Sequence, residues 1–244
     1  SVGTAGNHDT AYRDVSRRKD GLAYYAYWHQ PLDGPVAPAR IRGDQNPILA
    51  ASGNTLDRNA NFTFWWGNSH WVVLDSNTYL NWKSAPLRAW LDQALEAGRT
   101  ARWNFVVFHH PPYHSSNKKA DERYMTSIAD LMTKHGVDVV LSGHVHNYQR
   151  SHPISVSGGK ETIHRNFSPR GQTKAPGTIY LVTGAGGAPL YDQAIALAKP
   201  KWKPFTAVYK QNYSFTLLEL LSNTATFRQL DAQGQEIDRF TLVK

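Results

Sequence analysis

Two short apolar runs separated by a helical pattern constrain the fold of this chain most. Residues 103–108 and 137–141 have the length and apolar content of strands buried on both faces. Residues 121–135, between them, carry apolar side chains at helical spacing and stop at Gly136. A strand, a helix and a strand in this order predict a right-handed crossover between parallel neighbours. In such sheets, functional side chains collect at the carboxyl ends of the strands.

Histidine-containing turns follow both of these predicted strands. His109 and His110 come directly after the first strand, and His144 and His146 come shortly after the second. His144 and His146 are two residues apart, so in an extended segment their side chains point to the same side. Neutral imidazole is the commonest metal ligand in proteins. The sequence therefore predicts a metal site at the carboxyl edge of the sheet.

The remaining patterns predict a mixed α/β architecture. Residues 61–66 and 69–75 alternate aromatic and polar side chains on either side of a Gly-Asn pair, which predicts a hairpin. Residues 84–97 have helical spacing, whereas residues 10–60 are rich in Gly, Pro, Asn and Asp and predict a long loop. Four further strand patterns predict an antiparallel run, at residues 178–183, 213–221, 224–230 and 236–243.

Charge and composition narrow the ligands that the chain can use. The 244 residues contain 27 Lys and Arg against 19 Asp and Glu, a net charge of +8 that favours anionic ligands such as phosphate esters or nucleic acid. The absence of cysteine excludes disulfides and thiolate ligands, which leaves His, Asn, Asp, Glu and Tyr as metal donors. No stretch approaches the roughly 18 apolar residues of a membrane helix, so we expect no membrane partner.

Three motifs connect these observations to a known family. They are Gly-Asn-His-Asp at residues 6–9, His-His-Pro-Pro-Tyr at residues 109–113 and Gly-His-Val-His-Asn-Tyr-Gln-Arg at residues 143–150. In this order they resemble the motifs of the calcineurin-like metallophosphoesterases, and in detail those of the purple acid phosphatase branch. The resemblance implies an α/β/β/α sandwich of mixed sheets flanked by helices, with residues 1–244 as a single catalytic domain.

The same resemblance implies that strands are missing at the N-terminal side. The family carries two more metal-binding motifs upstream of Gly-Asn-His-Asp, and only five residues precede Gly6 here. We therefore expect this chain to be the C-terminal part of a larger phosphoesterase domain. A second chain or a homo-oligomer is the expected way to complete the sheet.

Carried over motif by motif, the resemblance implies a set of metal ligands. Asn7, His109 and His144 would hold the second metal of a pair, and His146 would hold the first. Fe, Zn and Mn all accept these donors. The bridging carboxylate of the family would lie upstream, so this chain alone is expected to bind at most one metal.

The resemblance also implies a mechanism and its proton donors. Two metal ions hold a bridging hydroxide that attacks phosphorus in line. His8, oriented by Asp9, is the expected general acid for the leaving group, with His110 or His114 as the alternative. Tyr113, Tyr148 and Arg150 are expected to support the ligands.

The expected function is the hydrolysis of phosphate monoesters, as in acid phosphatases, in a secreted or periplasmic location. A phosphodiesterase or nuclease would use the same ligands, with nucleic acid the less favoured substrate. A non-catalytic remnant would bind metal or phosphate without turnover. A serine esterase is the weakest alternative, because its Ser-x-x-Lys pattern occurs four times in the chain and is therefore not specific. The activity of such an esterase would survive chelators.

Overall fold

A computed structural model describes the chain over residues 3–10, 24, 28–35, 60–78, 80–170 and 174–244. The loop predicted for residues 10–60 lies mostly outside these ranges. The described residues form twelve strands: β1 (Phe62–Trp66), β2 (Ser69–Leu74), β3 (Trp103–Phe108), β4 (Val139–Ser142), β5 (Tyr148–Ser151), β6 (Ile154–Ser157), β7 (Lys160–Ile163), β8 (Ile179–Thr183), β9 (Thr206–Lys210), β10 (Ser214–Leu220), β11 (Thr224–Asp231) and β12 (Glu236–Val243).

The largest sheet is mixed and has seven strands in the order β1-β2-β3-β4-β8-β5-β9. Strands β2, β3, β4 and β8 are mutually parallel, and β1 and β5 run against their neighbours. The predicted hairpin is confirmed, because β1 and β2 pair through Trp66 and Ser69. The crossover is also confirmed, since β3 and β4 are parallel neighbours. This arrangement places the ends of β2, β3 and β4 at one edge.

Helices cover one face of this sheet. The α-helical segments are α1 (Asn7–Thr10), α2 (Ala85–Ala97), α3 (Ala129–Lys134) and α4 (Gln193–Ala196), with 3-10 turns at Gly98–Thr100, Tyr124–Ile128 and Lys199–Lys201. The apolar stripe of α2, which includes Leu87, Leu91 and Leu95, packs with Met132 into a core that also contains Phe108. Among the described residues, no helix has the length and apolar character to cross a membrane.

The opposite face of the large sheet packs against a three-stranded antiparallel sheet, β10-β11-β12. Trp103 and Phe105 of β3 lie in one core cluster with Phe227 and Phe240 of the small sheet. The aromatic rings of Phe227 and Phe240 stack with centroids 4.5 Å apart. Helices, a mixed sheet and a second sheet therefore lie in layers, and the predicted mixed α/β sandwich is confirmed.

Two predicted elements differ from the structure. The helix predicted for residues 121–135 is only α3, preceded by the 3-10 turn Tyr124–Ile128. The chain before this turn is tied to the loop after β3 instead, because the Arg123 side chain donates a hydrogen bond to the Pro112 carbonyl. The strand predicted at residues 178–183 is β8, but it is parallel to β4 in the large sheet and does not belong to the antiparallel run.

Candidate metal centre

The ends of three parallel strands build the edge of the sheet at which the motif residues meet. His109 follows β3, Gly143 follows β4, and the Gly143 amide donates to the His109 carbonyl at 3.0 Å. After β2, the Asn77 side chain donates to Asp75 Oδ1 at 2.8 Å and to the Ala5 carbonyl at 3.3 Å. These bonds tie the N-terminal segment that carries Asn7 to the same edge.

Two glycines permit the close approach of chain segments at this edge. A Cβ atom on Gly6 would lie 3.1 Å from the His109 ring, and one on Gly184 would lie 2.3 Å from the Val145 carbonyl oxygen. The second distance is shorter than any tolerable contact and involves backbone, which cannot move aside cheaply. His144 itself has a φ of 62°, an uncommon backbone conformation for a residue that carries a Cβ atom.

Asn7, His109 and His144 converge at this edge. His109 Nε2 lies 2.8 Å from Asn7 Oδ1, and His144 Nδ1 lies 3.2 Å from both of these atoms. About a hundred residues separate Asn7 from His109, so only the fold brings them together. The structure thus assembles the three side chains that the motifs select as ligands of one metal. Their role as ligands stays a prediction.

The donor spacing fits a metal ion. Two donors about 2.1 Å from one ion, at angles of about 90° to 109°, lie about 3.0–3.4 Å apart, close to the distances found here. His110 adds to this group, since its ring nitrogen lies within 4.8 Å of donor atoms of His109 and His144. Amide oxygen and imidazole nitrogen are donors that Zn, Mn and Fe accept.

Glu122 holds the His144 ring in one orientation. Its Oε2 lies 2.5 Å from His144 Nε2, and its Oε1 accepts a hydrogen bond from Lys119 Nζ at 3.0 Å. In a neutral imidazole that donates through Nε2, the lone pair is on Nδ1. That lone pair points at Asn7 Oδ1, which is also an acceptor, and a cation between two acceptors relieves their repulsion. A carboxylate behind a ligating imidazole is the usual second partner of such ligands.

Burial keeps these imidazoles neutral. Burial, together with a smaller contribution from the neighbouring His144, lowers the pKa of His109 to about 3. Burial also lowers the pKa of His144, although Glu122 opposes this shift. For Glu122, partial burial raises the pKa, but hydrogen bonds from Lys119 and His144 bring it below its usual value. Neutral imidazoles are the form that binds metal ions.

His146 lies in the same cleft as the three converging side chains. Its Nδ1 lies 3.0 Å from the Pro189 carbonyl, and its ring packs against Tyr191 with centroids 4.8 Å apart. Because a carbonyl can only accept, Nδ1 is the protonated nitrogen, and Nε2 is left with its lone pair. In this tautomer, Nε2 could bind a metal ion, as expected for His146.

The cleft has a volume of about 480 Å³ and is open to solvent. The residues that line it are Asn7, His8, His109, Lys118, Lys119, Gly143, His144, His146, Thr183, Gly184, Gly186, Gly187, Ala188 and Tyr191. His8 is exposed and faces this space. Asp9 Oδ2 accepts the Gly6 amide at 2.8 Å, which stabilises the turn that presents both Asn7 and His8.

The two alternative proton donors lie below the surface. His110 is 4% exposed and contacts Ser76 Oγ through Nδ1 at 2.9 Å, and His114 is 2% exposed. Burial lowers the pKa of His110 to about 2 and that of His114 to about 4. Neither lines the cleft described above, and at pH 5 and above neither holds the proton that a general acid donates. The geometry favours His8.

Several contributors to the site escaped sequence reasoning. Glu122, Lys118 and Tyr191 lie outside the three motifs, and the sequence around Glu122 predicts only the start of a helix. The supporting role expected of Tyr148 and Arg150 is wrong, because both bond to Asp238 of the small sheet. These two residues join the sheets instead of supporting the ligands.

The chain matches the model of the calcineurin-like phosphoesterase family over residues 2–148. It is 28% identical to acid phosphatase type 7 of Danio rerio over 183 residues, which cover 65% of this chain and 39% of that protein. It is 26% identical to phosphoenolpyruvate phosphatase of Allium cepa over 246 residues, which cover 93% of this chain and 43% of that protein. The chain therefore spans about two fifths of the length of these relatives.

The fold comparison agrees with the family match. The structure superposes on purple acid phosphatase from yellow lupin (Lupinus luteus) with a TM-score of 0.63 and 19% identity, covering 98% of this chain and 40% of that one. At this identity, the likeness shows the fold alone. The family match covers more than half of the chain and includes Asn7, His109 and His144, the three converging side chains. The chain belongs to the calcineurin-like phosphoesterase family.

Proposed function

We propose that this chain contributes the second-metal half of a phosphate-ester hydrolase that acts on monoesters, as acid phosphatases do. The observation that supports the proposal best is the convergence of Asn7 Oδ1, His109 Nε2 and His144 Nδ1 within 2.8–3.2 Å of one another. The names of the relatives, which include acid phosphatases from Danio rerio and Homo sapiens, point to the same substrate class.

The motif residues of the cleft and Glu122 have separate tasks in this proposal. Asn7, His109 and His144 would hold one metal, and His146 would be a ligand of the other. When bound, the metal ions would stabilise charge on the phosphoryl oxygens and activate the attacking water. His8, exposed in the cleft, donates a proton to the departing alkoxide, which is a poor leaving group while it stays unprotonated. Glu122 keeps His144 in the ligating tautomer.

A non-catalytic remnant is the second candidate, and one observation favours it. Among the described residues that line the cleft there is no carboxylate, so two dications would meet only neutral donors and the two lysines. We therefore expect this chain alone to bind at most one metal. One relative, from Arabidopsis thaliana, is itself named a probable inactive purple acid phosphatase.

Metal content and turnover, measured together, test the proposal. The chain is loaded with Zn²⁺ or Mn²⁺, freed of excess metal, and assayed with p-nitrophenyl phosphate before and after chelation. We expect about one bound metal, and we expect any turnover to vanish with chelator and return with metal. His109→Ala should abolish both, whereas His29→Ala, at an exposed position outside the cleft, should change neither.

The other outcomes separate the alternatives. One bound metal without turnover would identify the remnant, and activity that survives chelation would identify a serine esterase. Salt-dependent cleavage of DNA or RNA in preference to monoesters would identify a nuclease. Absence of metal binding in the wild-type chain would overturn the proposal.

A further inference from the structure

The cleft contains two lysines whose surroundings differ. Lys119 is half-buried, and its ammonium group is paired with Glu122 at 3.0 Å. Lys118 is exposed, and its Nζ lies 4.5 Å from the centre of the Tyr191 ring. Glu122 is already shared between Lys119 and His144. Among the residues that the structure describes, no carboxylate lies within ion-pair distance of Lys118.

Tyr191 connects Lys118 to the candidate metal centre. Its hydroxyl donates to the His144 carbonyl at 2.9 Å, and its ring packs against the His146 ring. A cation above an aromatic face is attracted by the ring but keeps its hydrogen-bond donors. Lys118 is therefore held beside the motif histidines with three N–H groups available. The neighbouring Asp192 carboxylate accepts a hydrogen bond from the Ser116 hydroxyl.

We propose that Lys118, held on the face of Tyr191, is a specificity-determining residue that binds the phosphoryl dianion of a monoester in this cleft. The inference rests on the proposed function and deepens it. A monoester carries close to two negative charges at neutral pH, whereas a diester carries one. Because Coulomb attraction scales with charge, an unpaired ammonium favours the monoester. Lys119 adds little to this preference, since Glu122 already neutralises it.

Phosphate binding tests the inference without any turnover. Isothermal titration calorimetry on the Mn²⁺-loaded chain, at pH 8 and fixed ionic strength, uses inorganic phosphate as the dianion and dimethyl phosphate as the monoanion. Lys118→Met should raise the dissociation constant for phosphate about tenfold, the scale of one charge-assisted hydrogen bond. The constant for dimethyl phosphate should rise less than about threefold.

Lys199→Met is the matched control. Lys199 is also exposed and lies over an aromatic ring, 5.9 Å from the centre of Trp202, but it does not line the cleft. The substitution removes the same charge from a similar contact, so it should leave both constants unchanged. Lys118→Arg should retain most of the phosphate affinity.

The results separate this inference from the proposed function. Equal effects of Lys118→Met and Lys199→Met would overturn it, as would equal losses for phosphate and dimethyl phosphate or no phosphate binding by the wild-type chain. Selective weakening by Lys118→Met in a chain that hydrolyses nothing would support the inference while removing the proposed function.

Discussion

At the scale of single residues, Glu122 shows where motif reasoning stops. The motifs select Asn7, His109 and His144 because His and Asn in those phrases have a defined chemistry. Glu122 lies in no motif, and its contact with His144 spans a turn whose path depends on tertiary packing. Neither its spacing nor its flanking residues indicate that it faces the site. Lys118 and Tyr191 were missed for the same reason.

Glu122→Gln should weaken metal binding. The amide keeps the size of the side chain but loses the charge that favours proton donation from His144 Nε2, so Nδ1 becomes a poorer ligand. Loss of such a supporting partner typically costs 10–100-fold in metal affinity, and we expect a loss of about tenfold at the lower end of that range. Competition with a chromophoric zinc chelator measures the affinity.

Asp130→Asn provides the control for this prediction. Asp130 pairs with Arg88 on the helical face, so its substitution removes the same charge away from the cleft. Equal zinc affinities of Glu122→Gln and the wild-type chain would show that the contact at 2.5 Å does not support His144.

At the scale of secondary structure, elements with a clear apolar run or an alternating pattern are predictable, and those defined by distant partners are not. The apolar run of β3 and the strand pattern of β12 were found with their correct bounds. Strand β5 was missed, because its segment Tyr-Gln-Arg-Ser is polar and becomes buried only through β8, β9 and Asp238. The N-terminal part of the helix predicted at residues 121–135 is not α-helical, because side-chain contacts with the preceding loop hold it in another conformation.

Asp238→Ala should destabilise the contact between the two sheets. Asp238 accepts two hydrogen bonds from Arg150, at 2.7 and 3.0 Å, and one from the Tyr148 hydroxyl at 2.7 Å. The paired side chains are only 11% and 10% exposed, so removing the carboxylate leaves a guanidinium group poorly solvated. We expect the free energy of unfolding in urea to fall by about 3 kcal/mol.

The control for this variant is Arg99→Ala, which breaks the exposed pair of Arg99 with Glu96. Exposed pairs contribute little, so its effect should be far smaller. Similar unfolding free energies for Asp238→Ala and Arg99→Ala would show that the pair with Arg150 does not hold the sheets together.

At the scale of the whole molecule, the buried histidines couple the site to folding. Burial lowers the pKa of His109, His110 and His114 to about 3, 2 and 4, against about 6.5 in the unfolded chain. Between these values the unfolded state binds more protons than the folded state. The free energy of unfolding therefore decreases as the pH falls below about 6.5, and this loss ends only below the folded pKa values.

His114→Asn should make this pH dependence less steep. In the metal-free protein, the variant lacks one of the protons taken up on unfolding, so between pH 6 and 4.5 its slope should be smaller by about 1.4 kcal/mol per pH unit. Urea titrations at several pH values give the slope for each protein. His29→Asn, at an exposed position, should keep the wild-type slope, and an unchanged slope for His114→Asn would refute the assignment.

The position of a bound metal ion tests most directly whether this edge of the sheet is a metal centre. Crystals of the chain soaked with Zn²⁺ and measured on either side of the zinc absorption edge locate the ion by its anomalous scattering. We expect one principal peak, about 2.0–2.2 Å from Asn7 Oδ1, His109 Nε2 and His144 Nδ1. A principal peak at other side chains, or a fully soaked crystal without a peak at these three atoms, would contradict the assignment.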